Sequence, residues 1–185
     1  MKKDMKKTNP IVVLFVVTVV AGLLVGIANH ITLPQILLHA EGALQGNLGV
    51  IFPQASEFED KEILDDSNTR VYIAIRGSDV LGYVLITYGR GYEGAVQVFT
   101  GMNHDGTILQ VVVGEHSETP GLGTRIEHPD FLDQFVGMTG PIRAVFTEPG
   151  DGEIANIAGV TISADAVVIG VNNALAYFNE HIYGR

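Results

Sequence analysis

Three patterns of apolar and polar residues follow one another along this chain. From Ile11 to Ala28 the residues are apolar apart from Thr18, Gly22 and Gly26, and none is charged. The run is close to the about 20 residues that span a bilayer core as a helix. Thr32-Leu33-Pro34 interrupts it, and a proline suits the first turn of a helix, where its missing N–H would go unpaired anyway. A second helix is therefore expected from Pro34 through Gln35, Ile36, Leu37, Leu38 and Ala43, ended by Gly46, Asn47 and Gly49. Pro53 to Asp66 is dense in acids, and its spacing predicts a solvated link with little internal structure.

From Thr69 the period changes to two. Arg70 to Arg76 and Val80 to Tyr88 are rich in β-branched and aromatic residues around the turn Gly77-Ser78-Asp79, which predicts a β-hairpin. Ala95 to Met102 and Thr107 to Gly114, joined through Asp105-Gly106, predict another. At least four antiparallel strands are expected, and the nearly all-apolar Ile108 to Val113 is placed at the centre, buried on both faces. Pro129 to Val136 reads as a short amphipathic helix with Phe131, Leu132 and Phe135 on one face, and Arg143 to Thr147 as a short strand. Val167, Val168, Val171, Leu175 and Phe178 recur at helical spacing and bury a last helix from Ala164 to Asn179, with Gly170 permitting close packing. The fold class expected is α+β: one N-terminal transmembrane helix, then a single domain in which helices pack a twisted, mainly antiparallel sheet.

Charge adds direction to this picture. The formal net charge is −10, yet the first ten residues hold Lys2, Lys3, Lys6 and Lys7 against Asp4, leaving seven basic and twenty acidic residues, or −13, for the remainder. Lysines before the apolar run keep the N-terminus in the cytoplasm and send the rest of the chain across the membrane. Cleavage as a signal peptide after Gly26-Ile27-Ala28 is the competing expectation, and either way the domain lies outside the cytoplasm. An acidic domain is a poor partner for nucleic acid. With no cysteine there is no disulfide, thiolate nucleophile or cysteine-held iron–sulfur cluster, so redox chemistry needs an organic cofactor.

Two stretches carry candidate chemistry. Ala158-Gly159-Val160-Thr161-Ile162-Ser163 opens the last helix, with Ser163 expected as its N-cap and Asp165 at the positive dipole end. Free amides, a glycine and the dipole make such a helix start suited to a phosphate. The other is the loop Glu115-His116-Ser117-Glu118-Thr119-Pro120-Gly121-Leu122-Gly123. His116 and Glu118 are spaced for one face of a strand, but no third ligand accompanies them, and neither a metal site nor an acid–base pair is expected.

The order of apolar anchor, Gly91-Tyr92-Glu93-Gly94, hairpin, Glu118-Thr119-Pro120-Gly121-Leu122-Gly123, Pro129-Asp130-Phe131-Leu132 and Ala158-Gly159-Val160-Thr161 resembles the FMN-binding domain of RnfG, a component of the Rnf electron-transport complex. It is more distantly similar to NqrC of the sodium-translocating NADH:quinone oxidoreductase. The resemblance implies FMN attached through its phosphate to Thr161, with Glu118, Thr119, Gly121, Leu122, Gly123, Gly159, Val160, Ile162 and Ser163 around the cofactor, and Ser163 second choice for attachment. Val160 stands where the family motif has alanine, and Ala155 where it has aspartate. Implied too is electron transfer, without acid–base residues of its own, inside a ferredoxin:NAD oxidoreductase that moves sodium ions or protons. Its partners would be other membrane subunits, a flavin transferase and the lipid bilayer of the cytoplasmic membrane. The divisions that follow are residues 1–30 for the cytoplasmic stub and anchor, 31–68 for a helix and acidic link, and 69–185 for the FMN-binding domain. A structural subunit of the same fold without covalent flavin, and a stand-alone extracytoplasmic flavin reductase, are the alternatives.

Overall fold

A computed structural model describes residues 9–61 and 68–183. The chain divides into two compact units, Met1–Leu44 and Gln45–Arg185.

The first helix, α1, runs without a break from Pro10 to Ile51 with Pro34 inside it. Asn9 accepts from the Ile11 amide at its start, and the hydroxyls of Thr18 and Thr32 donate to the carbonyls of Leu14 and Ala28 one turn earlier. From Ile11 to Leu38 every large apolar side chain is exposed, and the helix is long and apolar enough to cross a membrane. The separate helix expected from Pro34, ending near Gly46 to Gly49, is thus a continuation of the first. A proline inside a helix costs about 3 kcal/mol and a glycine about 1 kcal/mol relative to alanine. Leu48 and Ile51 lie past or beside those glycines and are buried, and about 1.5–3 kcal/mol for each buried side chain offsets the poor local propensity.

Five strands form an antiparallel meander in the order β1 (Glu57–Lys61), β2 (Arg70–Arg76), β3 (Asp79–Arg90), β4 (Ala95–Met102) and β5 (Ile108–Val113). Both expected hairpins are present, the second closed by Asp105, which accepts from the amide and hydroxyl of Thr107 and is held below the ordinary aspartate range by those bonds. Gly106 follows at φ 84°, a conformation that only glycine adopts without strain.

Two strand expectations are corrected. The acidic stretch expected to lack structure contains β1, an edge strand whose charges face water and whose Asp60 pairs with Arg70 at 2.9 Å. Residues 62–67 of that stretch lie outside the described residues. The apolar β5 is not central but the opposite edge of the sheet. Nor is it buried on both faces: only Ile108 and Val111 are buried and Leu109 is exposed, while later chain covers the start of the strand, where the Ile108 amide donates to the Met138 carbonyl and the Gly137 amide to that of Ile108.

After β5 come a 3-10 turn (Gly123–Glu127), α2 (Pro129–Leu132) with a further 3-10 turn to Phe135, and a two-stranded parallel sheet of β6 (Arg143–Val145) and β7 (Glu153–Ala155). The last helix, α3 (Thr161–Phe178), lies across β3 and β4. It also has the length and composition of a membrane span, but most of it is buried in this domain as its core helix. Leu85, Val98, Ile126, Phe135, Val167, Val171 and Phe178 belong to that core. On the other sheet face Leu48, Ile51 and Phe52 are buried against glycines: a side chain at Gly82 would meet the Phe52 ring, and one at Gly101 would meet Ile51.

The approach of α3 to the sheet is what sets the site. A Cβ on Gly89 would fall on the backbone of Ala166, one on Gly170 would lie 2.7 Å from Val98, and the Thr87 hydroxyl donates to the Gly170 carbonyl at 2.7 Å. Gly170 therefore does permit the close packing expected of it. Replacing Gly89 by alanine is expected to destabilise the domain by about 1–3 kcal/mol through overpacking, read as a lower denaturant midpoint at unchanged slope. An unchanged midpoint would contradict this packing.

Candidate functional site

α3 begins three residues before the alanine expected to be its first. Its first helical residue is Thr161, its N-cap is Val160, and no side chain caps it. A helix start leaves its first amides without partners inside the helix, and here the first amide bonded back into the chain is that of Ala164, to the Val160 carbonyl at 2.9 Å. Ser163 is therefore not the cap expected from the sequence. It sits inside the first turn, is only 3 % exposed, and its hydroxyl donates in a short hydrogen bond to Oε2 of Glu118. Asp165, by contrast, lies beyond the first turn and accepts from Asn156 Nδ2 at 3.0 Å.

The lead-in to the helix explains this shift. β7 delivers the chain to Asn156, Gly159 takes φ 86°, and the Val160 amide donates to the Ile157 carbonyl, so the chain turns tightly and enters the helix at Thr161. The Arg125 guanidinium, from the 3-10 turn, donates to the Ala158 carbonyl at 3.0 Å and holds the lead-in from outside.

Glu118 is the other centre of the site. It is 4 % exposed. Oε1 accepts from the Glu93 amide at 3.0 Å, in the turn between β3 and β4, while Oε2 accepts from Ser163. Gly91 and Gly123 make room, since a side chain at either would run into Glu118. Taking a carboxylate out of water costs several kcal/mol. Two hydrogen bonds to an ionised acceptor contribute about 1.5–3 kcal/mol each, and the adjoining helix start about 1 kcal/mol more, so the two sides are of similar size. His116 stands behind it. Its Nδ1 accepts from the Glu118 amide at 3.2 Å, which leaves Nε2 to donate to Glu127 at 2.6 Å. The histidine thus orders the loop backbone and does not pair with the Glu118 carboxylate.

Between these elements lies a cleft of about 410 Å³ lined by Tyr92, Glu118, Thr119, Leu122, Gly123, Gly159, Val160, Thr161, Ile162 and Ser163. Nine of the ten residues singled out in the sequence meet here. The tenth, Gly121, does not line the cleft, and its amide donates to the Thr124 hydroxyl at 2.9 Å. Sequence reasoning missed Tyr92, which is 70 % exposed at the rim. The signal was its place in Gly91-Tyr92-Glu93-Gly94, an aromatic ring on a tight turn. Leu122 and Ile162 are also exposed along the cleft. A second cleft of about 380 Å³ lies across the 155–158 segment, with Arg125, His128, Gln134 and Asn156 among its walls. Gln134 holds both the amide and the carbonyl of Ala155 there.

A phosphate is the chemistry this helix start accommodates: uncapped amides, the positive dipole end, and a partly exposed threonine at the first position. The exposed Tyr92, Leu122 and Ile162 suit a flat aromatic ring next to that phosphate. The residues present therefore fit a flavin mononucleotide.

The family model for the FMN-binding domain matches residues 91–176, a span that contains the whole cleft. Over 179 residues the chain is 36 % identical to the RnfG component of the ion-translocating oxidoreductase complex of Methanosarcina acetivorans, covering 92 % of this chain and 93 % of that protein. It is 31 % identical to the corresponding component of the Na(+)-translocating ferredoxin:NAD(+) oxidoreductase complex of Acetobacterium woodii, covering 91 % and 89 % of the two chains. The crystal structure of NqrC, from the Na(+)-translocating NADH-quinone reductase of Parabacteroides distasonis, shares the fold, with a TM-score of 0.52 at 23 % identity over 60 % of this chain and 61 % of that one. Fold and cleft define an FMN-binding domain. The chain belongs to the RnfG family of ion-translocating oxidoreductase complexes.

Arg125 is expected to hold the lead-in without holding up the domain. Arg125→Ala should cost about 1 kcal/mol of global stability, the scale of one exposed hydrogen bond, while amide exchange at Val160 and Ala164 accelerates. Exchange unchanged at those two amides would show that the bond does not order the segment.

Proposed function

We propose that this chain is the flavoprotein subunit of an Rnf-type ferredoxin:NAD oxidoreductase coupled to ion translocation, carrying electrons through FMN esterified by its phosphate to Thr161. The observation that carries this reading is the start of α3. Its amides lack a side-chain cap, and of the two hydroxyls there, Thr161 is partly exposed on the cleft while Ser163 is buried and committed to Glu118. The attachment balances as a phosphoryl-ester exchange. The Thr161 oxygen forms the new P–O bond, the phosphoanhydride of a flavin dinucleotide breaks, a nucleoside monophosphate leaves with the electron pair, and the hydroxyl proton is lost to solvent. A flavin transferase supplies the catalytic groups for that step.

When bound, FMN supplies the one- and two-electron chemistry. The α3 amides would hold the phosphate, and Tyr92, Leu122 and Ile162 would offer the apolar surface for the ring. The partners are the other membrane subunits of the complex. The length of the apolar run supports a retained single-pass anchor in the cytoplasmic membrane, and Lys2, Lys3, Lys6 and Lys7 before it support a cytoplasmic N-terminus with the domain on the extracytoplasmic side.

Two measurements test this. Co-expressed with a flavin transferase and run on a denaturing gel, the chain is expected to fluoresce as flavin, and Thr161→Ala to be dark. A dark wild-type band sinks the covalent link, and flavin recovered free on denaturation then assigns noncovalent FMN. Topology is testable because the chain has no cysteine of its own. Ser78→Cys, in the exposed turn between β2 and β3, is expected to react with a membrane-impermeant maleimide in intact, outer-membrane-permeable cells. Labelling only after the inner membrane is breached would place the domain on the cytoplasmic side.

A further inference from the structure

We propose that Glu118 is a positioning residue that keeps the start of α3 open and determines which hydroxyl there receives the flavin; this rests on the reading of Thr161 as the attachment residue. Glu118 reaches two segments far apart in the chain, Glu93 in the β3–β4 turn and Ser163 in the first turn of α3, and both of its carboxylate oxygens are used by them. Among the described residues, no side chain caps the first amides of the helix and competes there with an incoming phosphate. A serine in the first turn is the natural competitor, because its oxygen can fold back onto nearby amides. Here the Ser163 hydroxyl is drawn to Glu118 instead, on the buried side of the turn.

The same bond settles the choice of acceptor. A hydroxyl paired with a carboxylate is the better nucleophile of the two in chemical terms, so reactivity alone would favour Ser163. Access reverses that order, since Ser163 is 3 % exposed whereas Thr161 is partly open to the cleft. Glu118 thus acts by holding Ser163 inward, and the flavin phosphate meets Thr161. Among the described residues the donors to the Glu118 carboxyl group are neutral, the Glu93 amide and the Ser163 hydroxyl, so in this proposal the carboxyl group beside the cleft also lowers the potential of a flavin seated there.

The first test needs no flavin. In the full chain in detergent, Glu118→Ala and Glu118→Gln are expected to speed amide exchange both at residues 91–94 and at the start of α3, whereas Ser163→Ala speeds it at α3 alone. Exchange unchanged at both segments in both Glu118 variants overturns the proposal. The second test uses the chain co-expressed with a flavin transferase. Glu118→Ala is expected to lower the flavin-loaded fraction about ten-fold, the scale on which partners of binding groups act. Ser163→Ala leaves loading close to wild type, because no competing hydroxyl remains, and the Glu118→Ala, Ser163→Ala double variant regains loading relative to Glu118→Ala alone; a double variant as poorly loaded as Glu118→Ala overturns the proposal. The flavin that remains in Glu118→Gln should have a raised reduction potential, which a merely looser fold would not produce. Full loading at the wild-type potential in folded Glu118→Gln and Glu118→Ala overturns the proposal, as does flavin found on Ser163 in Thr161→Ala. If the wild-type chain carries no flavin, the functional reading fails by itself, and the exchange experiment still decides whether Glu118 positions the helix start.

Discussion

A buried carboxyl group that pairs with no cation among the described residues has to be surrounded by donors, and the donors of Glu118 come from two places widely separated along the chain. One is the amide of Glu93, on the turn that β3 and β4 hold in place, and the other is the hydroxyl of Ser163, on the helix that crosses those strands. The requirement to satisfy this one charge fixes the loop after β5 against both. Gly91 and Gly123 are part of the same constraint, because a side chain at either position would occupy the space of the carboxylate. The cleft is what remains between the segments so joined. Its polar end is a helix start left uncapped, and its rim is apolar.

The fold supports that arrangement from behind. Gly89 and Gly170 let α3 approach the sheet more closely than side chains would allow, so the first turn of α3 is positioned by a packed core. Arg125 steadies the lead-in from the other side. Membership of the RnfG family gives the chain its ligand class, and the match to an FMN-binding domain spans the stretch in which every residue lining the cleft lies. The two positions at which this chain leaves the family motif are not alike. Val160 is buried and serves as the N-cap, a role for its backbone, which tolerates the branched side chain. Ala155 lies outside the cleft and is held through its backbone by Gln134.

Much of this is legible in the residues, and what is not has physical causes. The β-branched and aromatic runs around turn residues report β2 to β4, although β3 and β4 are buried on both faces over part of their length, and helical spacing reports α3 because a stripe of it is buried. β1 is hidden because an edge strand with charges directed to water looks like a solvated link. β5 reads as central because its residues are nearly all apolar, yet it is an edge strand in which only Ile108 and Val111 are buried, and the chain around Gly137 and Met138 covers its start. Pro34 and the glycines after it suggest two helices, yet the burial of Leu48 and Ile51 keeps one going. Short motifs locate the site residues, but they do not reveal the part played by Ser163. A serine at a helix start reads as a cap unless a carboxylate from a distant loop is known to claim it.

Everything proposed for this site turns on Thr161, and not its buried neighbour, carrying the flavin. Fragmentation mass spectrometry of the peptide spanning α3, from protein isolated out of its native membrane, tests it most directly. The expected result is a mass increment of one FMN less one water, with fragment ions that place it on Thr161. An increment on Ser163, or an unmodified peptide from protein that has otherwise matured normally, would contradict it.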